Sequence, residues 1–297
     1  MKHPNPLMLL RIAQGDAYCL ATEYIEFPRD KATQEEALRF EKYGRHPTHH
    51  QTVGCYSDDT QMSCAVAEVL LSGRPFTREK FADAFVRCFK RDERKGYSRM
   101  FQEFLETVQS GEEFLAKINP NSDKNGAAMR AVPIGVLPTV EEVLQVAELQ
   151  AKLTHDTPDG ILSAQAVALM SHFALYEESG FLALNRYFKT YLPELGPISR
   201  RVWPNFPGGQ VTGPRVGVKT VMAVAELLMS KETLMGILER TIQWGGDTDS
   251  VAAIAWGIAS TRLAGDIPAF LEVDLEPGGK FGVAYLKELG SKLMSVV

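Results

Sequence analysis

"CYSDDTQMS", residues 55–63, sets two aspartates side by side between a serine and a threonine, immediately ahead of an apolar run. Beyond Asp58 and Asp59, the residues Met62, Ala65, Val66, Val69 and Leu70 recur at helical spacing, so the acids stand where a helix begins. A lone aspartate there is ordinarily a cap or a partner of the positive end of the helix dipole. One cap needs one carboxylate. A second beside it adds like-charge repulsion unless something positive relieves it. The stretch therefore argues for a helix start and leaves two readings of its acids, a cap or a metal, for the rest of the chain to decide.

Working outward, the chain reads as helices almost throughout. "PLMLLRIAQGDAYCLATEYI" is long and mostly apolar without strand-like alternation. "TREKFADAFVRCFKRD" has Thr77 as N-cap, and "TVEEVLQVAELQAKL" opens on Thr139 and Glu142 at capping-box spacing. "ILSAQAVALMSHFALYEESG" ends at Gly180, a C′ residue by type. Further helical runs begin near Phe181, Val216, Lys231, Thr248 and Phe281. "RAVPIGVLP" leans towards β structure but carries two prolines. The segment from about Tyr191 to Arg215 is rich in proline and glycine and reads as a long surface loop over a site. No repeat and no linker divides the chain, so residues 1–297 are expected to form one domain.

With 297 residues, 45% hydrophobic and 23% charged, the composition is that of a globular protein. A net charge of −5 argues against a non-specific nucleic-acid binder or a polybasic membrane binder. Cys19, Cys55, Cys64 and Cys88 have no CxxC spacing and suit a reduced, cytoplasmic setting. The apolar N-terminal stretch is soon broken by Arg11 and Asp16, which fits neither a signal peptide nor a membrane span.

The opening stretch has a counterpart near the C-terminus. "GGDTDSVAAIAWG" places Asp247, Thr248, Asp249 and Ser250 before an alanine-rich helix, with Gly245 and Gly246 permitting a tight turn. Two buried-type helices thus start with paired acids and hydroxyls. Four carboxylates with hydroxyls form an all-oxygen donor set, which suits a hard cation such as Mg²⁺ or Mn²⁺.

Five motifs in order, "GDA" at 15–17, "SDDTQM" at 57–62, "NGAAMR" at 125–130, "HDTPDG" at 155–160 and "GGDTDSVAAI" at 245–254, resemble the ADP-ribosylglycohydrolase family. The resemblance runs from about residue 7 to 270. It implies an all-α, orthogonal multi-helix bundle, two Mg²⁺ or Mn²⁺ ions, and hydrolysis of a bond at the distal ribose of ADP-ribose. By position, the implied metal ligands are Ser57, Asp58, Asp59, Asp247, Asp249 and Ser250, with Asp59 and Asp249 counted as catalytic. The resemblance also implies an acid on a loop near the metals a short way past the GD; counted from Asp16 this is Glu23, with Glu26 as the alternative. Asn125, Gly126 and Ala127 would present N–H groups to the diphosphate, and His155 would face the ligand. Read alone, NGAAMR is an ordinary turn into a helix, and His155 a C-terminal dipole partner.

The implied substrate is an ADP-ribosylated protein or a small ADP-ribosyl compound, handled by a monomer. The favoured bond is the N-glycosidic one to arginine. The alternatives are an O-linked bond to serine, or a non-catalytic ADP-ribose-binding member of the family. "RHPTHH" leaves two readings for His46, His49 and His50, a zinc site or a loop gating the site. Arg200 and Arg201 near Trp203 suit either contact with adenine or phosphate, or a plain surface loop. A di-iron carboxylate bundle needs Glu-x-x-His pairs, which the chain lacks.

Overall fold

The computed structural model describes residues 1–49, 51–94, 96–197, 211–230 and 232–296. Among them the regular structure is helical: α1 (Met8–Cys19), α2 (Lys31–Ala37), α3 (Asp58–Leu71), α4 (Arg78–Arg91), α5 (Arg99–Thr107), α6 (Gly111–Lys117), α7 (Gly126–Met129) and α8 (Val140–Ala151) come first. They are followed by α9 (Pro158–Tyr176), α10 (Leu184–Tyr191), α11 (Val216–Met229), α12 (Leu234–Trp244), α13 (Thr248–Ala259), α14 (Phe270–Val273) and α15 (Val283–Leu293). Two isolated β-bridges, Asn121 with His155 and Val211 with Gly246, are the β pairing among the described residues. The all-α expectation holds.

The centre of the bundle is the pair α1 and α13. All twelve residues of α13 are buried, as are all of α1 but Arg11. Two helices with so few outward residues must lie inside other helices, and α3, α9, α11, α12 and α15 surround them. The axis-to-axis approach is set by Gly15: a Cβ there would lie 2.6 Å from the Ala252 carbonyl oxygen. Close packing of these two helices fixes where their acidic ends fall, which is why the fold matters to the site.

Some local expectations are refined. Thr77 and Thr139 do cap α4 and α8 by accepting from Lys80 N and Glu142 N. The Glu142 carboxylate does not reach back to complete a capping box, because it is taken by Arg74 at 2.7 and 2.9 Å. Gly180 is not the C′ residue of α9. That helix ends at Tyr176, and Gly180 has φ of −64° at the entry to a short 3₁₀ turn. The carbonyls at the end of α9 and just beyond it are gathered instead by Arg262, which donates to Phe173 O, Ala174 O, Glu177 O and Ser179 O. The stretch around Val132 to Val136 is 3₁₀, not β. Gly135 in it leaves room for Ser171 and His172 of α9, so close packing outweighs β propensity.

Candidate active site

The start of α3 answers the question the sequence raised. Ser57 is the N-cap, its Oγ accepting from Asp59 N at 3.3 Å. Neither Asp58 nor Asp59 is needed to cap the helix. Asp16, projecting from α1, takes up further donors: Ser57 N at 3.1 and 3.0 Å, Thr60 N at 3.1 Å and Thr60 Oγ1 at 2.6 Å. It is a buried carboxylate saturated by the protein, and it clamps α1 to the start of α3. Burial pushes its pKa up to about 6, against the pull of the Thr60 and Ser57 hydrogen bonds.

The start of α13 is built from the other side. Gly245 and Gly246 have φ of 68° and 82°, a conformation that glycine adopts without strain. The turn is tied down by Asp247 N donating to Val211 O at 2.9 Å and Thr248 Oγ1 donating to Cys19 O at 2.9 Å. Asp247 Oδ2 accepts from Tyr24 Oη at 2.6 Å and from Asn125 Nδ2 at 3.2 Å. Among the described residues, Asp249 Oδ1 accepts from its neighbour Ser250 N alone, at 2.9 Å. Asp59 Oδ2 accepts from Ser57 Oγ at 3.3 Å, while its Oδ1 is buried with no hydrogen-bond partner among the described residues.

These acids repel one another. Burial, then Asp16 and Glu23, pushes Asp58 up to about 8. Asp59 is raised well above the carboxylate range by burial and by Asp16, Asp58 and Asp247. Asp249 is raised well above it too, by burial and by Glu23, Asp247, Asp59 and Asp16. Among the described residues, no lysine or arginine forms an ion pair with any of them. Nor are three or more His, Cys, Asp or Glu side chains arranged there as a finished metal cage. The chemistry of the donor set nevertheless fits a hard cation. Hydroxyls of Ser57 and Ser250 and carboxylates of Asp58, Asp59, Asp247 and Asp249 lie at the starts of α3 and α13, the acids of the two starts act on one another, and among the described residues a buried carboxylate oxygen lacks a partner.

Glu23 and Glu26 part company. The Glu23 side chain is 16% exposed and feels Asp247 and Asp16, so it lies at the acidic site. Glu26 is 71% exposed and pairs with Arg29 at 2.9 Å. Glu23 is gripped from behind by the RHPTHH stretch. His46 Nε2 lies 2.6 Å from Glu23 O, and His46 Nδ1 accepts from His49 N at 2.8 Å and Thr48 N at 3.1 Å. His49 stacks on His46 with centroids 3.9 Å apart and sets Nδ1 3.3 Å from Glu23 Oε2. With both ring nitrogens of His46 engaged, it has no lone pair for zinc. The loop reading is the one the geometry favours. His50, Arg200, Arg201 and Trp203 lie outside the described residues.

On the third side, Asn125 precedes α7 and links it to the acids through Asp247. His155 follows α8 and lies against Gly126, where a Cβ would be 2.9 Å from Cε1 and 3.1 Å from Nε2. The structure thus brings Asn125, Gly126 and His155 together beside the acidic centre. Asp16 and Tyr24 are residues of the site beyond those to which the sequence motifs assign a role. Asp16 could have been found as the one acid in an otherwise apolar run. Tyr24 carries no signal of its own, since φ of 47° is what turns its hydroxyl to Asp247. A hollow of about 660 Å³ lined by Glu68, Ser72, Arg87 and Lys292 lies at the other end of α3 and is unrelated to this chemistry.

An all-helical bundle with two acid-and-hydroxyl helix starts defines the class of protein. The sequence profile of the ADP-ribosylglycohydrolase family matches residues 8–295, and the chain belongs to that family. It is 30% identical over 132 residues to ADP-ribosylhydrolase ARH3 of Xenopus tropicalis, covering 41% of this chain and 37% of that one. The match thus spans little more than a third of that relative's length. Similarity to ADP-ribosylarginine hydrolase Tri1 of Serratia proteamaculans is lower, 22%, but covers 84% of this chain and 69% of the relative. A solved structure described as an ADP-ribosylglycohydrolase-related protein complex has the same fold, with a TM-score of 0.73, 21% identity, and 98% and 96% of the two chains covered. Among the described residues no helix is long and apolar enough to cross a membrane, and all four cysteines are free.

Proposed function

We propose that the chain is a divalent-metal-dependent hydrolase that releases ADP-ribose from a modified acceptor, with ADP-ribosylated arginine as the substrate. The observation that carries this reading is the set of buried carboxylates from α3 and α13 with no compensating cation among the described residues. Ser57, Asp58, Asp59, Asp247, Asp249 and Ser250 would hold two Mg²⁺ or Mn²⁺ ions. Such ions, when bound, supply Lewis acidity towards ribose hydroxyls and lower the pKa of a water.

The chain's own residues do the rest. Glu23 is the proton acceptor for the attacking water, its carboxyl raised by burial towards the range a general base needs. His46 and His49 keep its backbone and side chain in place. Tyr24 and Asn125 orient Asp247 by donating to one of its oxygens. Asn125, Gly126, Ala127 and His155 form the diphosphate side. Attack at the anomeric carbon builds oxocarbenium-like charge, as in glycoside hydrolysis generally.

Arginine is supported by the extent of the match to the arginine-directed relative, 84% of this chain. We read residues 1–297 as one catalytic domain acting as a cytoplasmic monomer. The test is a pair of peptides, one with ADP-ribose on arginine and one with it on serine, each incubated with and without Mn²⁺. Release of ADP-ribose and unmodified arginine, with the serine peptide nearly inert, is the expected result. The reverse order of rates overturns the acceptor. No release from either peptide overturns the hydrolase reading.

A further inference from the structure

Behind the diphosphate side lies a buried polar chain that the proposed chemistry does not use. Arg130 is 1% exposed and has no carboxylate partner among the described residues. Its Nε donates to Gln150 Oε1 at 2.6 Å, and its Nη2 donates to Gln150 O at 3.1 Å and to Thr154 Oγ1 at 2.8 Å. Its guanidinium lies 4.4 Å over the ring of Phe85. Gln150 Nε2 goes on to donate to Ala127 O at 2.9 Å. Thr154 Oγ1 lies 2.7 Å from His155 Nδ1, and His155 returns to Gly126 across α7. The ring of contacts therefore closes from Ala127 through Gln150, Arg130, Thr154 and His155 back to the residue next to Ala127.

Proton counting along this chain has one outcome. A guanidinium can only donate, so Thr154 Oγ1 accepts from Arg130. The Thr154 hydroxyl then has its own proton to place, and among the described residues the acceptor within reach is His155 Nδ1. An imidazole that accepts at Nδ1 and is neutral carries its proton on Nε2. Neutrality follows from the setting: His155 is 7% exposed and faces the Arg130 charge, and together these lower its pKa to about 3. Nε2 has no hydrogen-bond partner among the described residues and lies over Gly126.

We propose that Arg130, Gln150 and Thr154 are positioning residues that lock His155 as the Nε2–H tautomer, leaving that N–H as a fixed donor to a phosphoryl oxygen of the ligand. The ligand part rests on the ADP-ribose reading; the tautomer part does not. Arg130 thereby acts on the ligand through two intermediaries without touching it. A neutral donor keeps its proton at every pH at which the enzyme works, which a histidine titrating near neutrality does not. The cost of burying an unpaired guanidinium, expressed in an Arg130 pKa lowered to about 9, is the counterpart of that arrangement.

The test uses the full chain labelled with ¹⁵N at histidine and a long-range ¹H–¹⁵N spectrum recorded without ligand. His155 is expected to show a protonated Nε2 and an unprotonated Nδ1, unchanged between about pH 5 and pH 8. A protonated Nδ1, or titration within that range, overturns the proposal. Thr154→Val removes the hydroxyl; it is expected to mix the tautomers and to weaken ADP-ribose binding about tenfold, the scale of one hydrogen bond. KM should rise while kcat holds. Thr154→Ser keeps the hydroxyl and should restore both the spectrum and the affinity, which a loss through altered packing would not do. A Thr154→Val protein with the wild-type spectrum and affinity overturns the relay. A wild-type protein with the expected spectrum that does not bind ADP-ribose supports the lock and overturns only the ligand reading.

Discussion

The residues on either side of Ser57 face two kinds of buried acid. On one side Glu276, whose side chain is 3% exposed, accepts from Arg94 at 2.5 and 3.0 Å and from Tyr56 N at 2.8 Å. Arg94 also stacks 3.6 Å over the ring of Tyr56 and pairs with Asp92. That charge is neutralised by the protein. On the other side Asp59 and Asp249 are equally buried, and among the described residues no cation meets them. Among the described residues, one carboxylate is thus supplied with an arginine and the neighbouring group is not, which is the contrast the proposed metal role rests on. Asp16 sharpens the contrast, because it belongs to the acidic side and is still saturated, by four hydrogen bonds from Ser57 and Thr60. It is the structural acid of the site, whereas Asp59 and Asp249 are the ones the proposed function assigns to metal.

The largest effect should separate these two sides by function. Asp59→Ala and Asp249→Ala are each expected to lower hydrolysis of the ADP-ribosyl peptide by a thousandfold or more, roughly 4 kcal/mol of lost transition-state stabilisation. Residual activity within tenfold of wild type would contradict the assignment. Stability should separate them in the opposite sense. Arg94→Met strands Glu276 and should cost about 3–5 kcal/mol of unfolding free energy. Asp59→Asn replaces a carboxyl that burial and its acidic neighbours hold in the disfavoured protonated form, and should stabilise the metal-free protein in the same denaturant titration. If both variants lose stability alike, the acids around Asp59 are as well compensated as Glu276, and the contrast fails.

A step down in size, Glu23→Gln should slow turnover about a hundredfold while ADP-ribose affinity stays within a few fold. Glu26→Gln should be silent, because Glu26 is 71% exposed and turned to Arg29. An inactive Glu26→Gln with a normal Glu23→Gln would transfer the role by three residues.

The smallest effect is in pH dependence, where the two walls of the site have opposite signs. For Asp16 and Asp58 the folded pKa, about 6 and about 8, lies above the ordinary carboxylate value. The folded state therefore holds more protons, and metal-free stability should fall as pH rises from about 4 to about 8. For His155 the folded pKa of about 3 lies below the ordinary value. There the unfolded state holds the proton, and stability should rise with pH between about 3 and 6.5, contributing about 2 kcal/mol on going from pH 5 upwards. Thermal unfolding of wild type and His155→Gln across this range reads both slopes. The substitution should steepen the fall, and no change would contradict the buried neutral histidine.

How far the site was legible in the sequence follows from what each part depends on. The acid-and-hydroxyl starts of α3 and α13 could be read, because adjacent charges ahead of an apolar helix violate an ordinary preference and invite a reason. The all-helical fold could be read from periodicity. The caps Thr77 and Thr139 could be read because capping is local. The end of α9 could not: Gly180 has the right residue type, but the carbonyls are satisfied by Arg262, more than eighty residues away in the chain. The role of Arg130 was equally hidden, since its partners Gln150 and Thr154 acquire meaning only when α8 is laid beside α7. Glu23 was separated from Glu26 by the clasp of His46 and His49, a contact between loops with no periodic signature.

The central claim is that the bare carboxylates await divalent cations, and metal binding to stripped protein tests it most directly. Titration of Mn²⁺ into chelator-treated protein at about pH 7, followed by calorimetry in buffers of different ionisation enthalpy, reports stoichiometry and protons together. The account predicts about two ions per chain, with net release of protons from carboxyls that burial and mutual repulsion had kept protonated, and loss of that binding in Asp59→Asn and Asp249→Asn. Absence of binding, or binding that releases no protons and survives both substitutions, would contradict it.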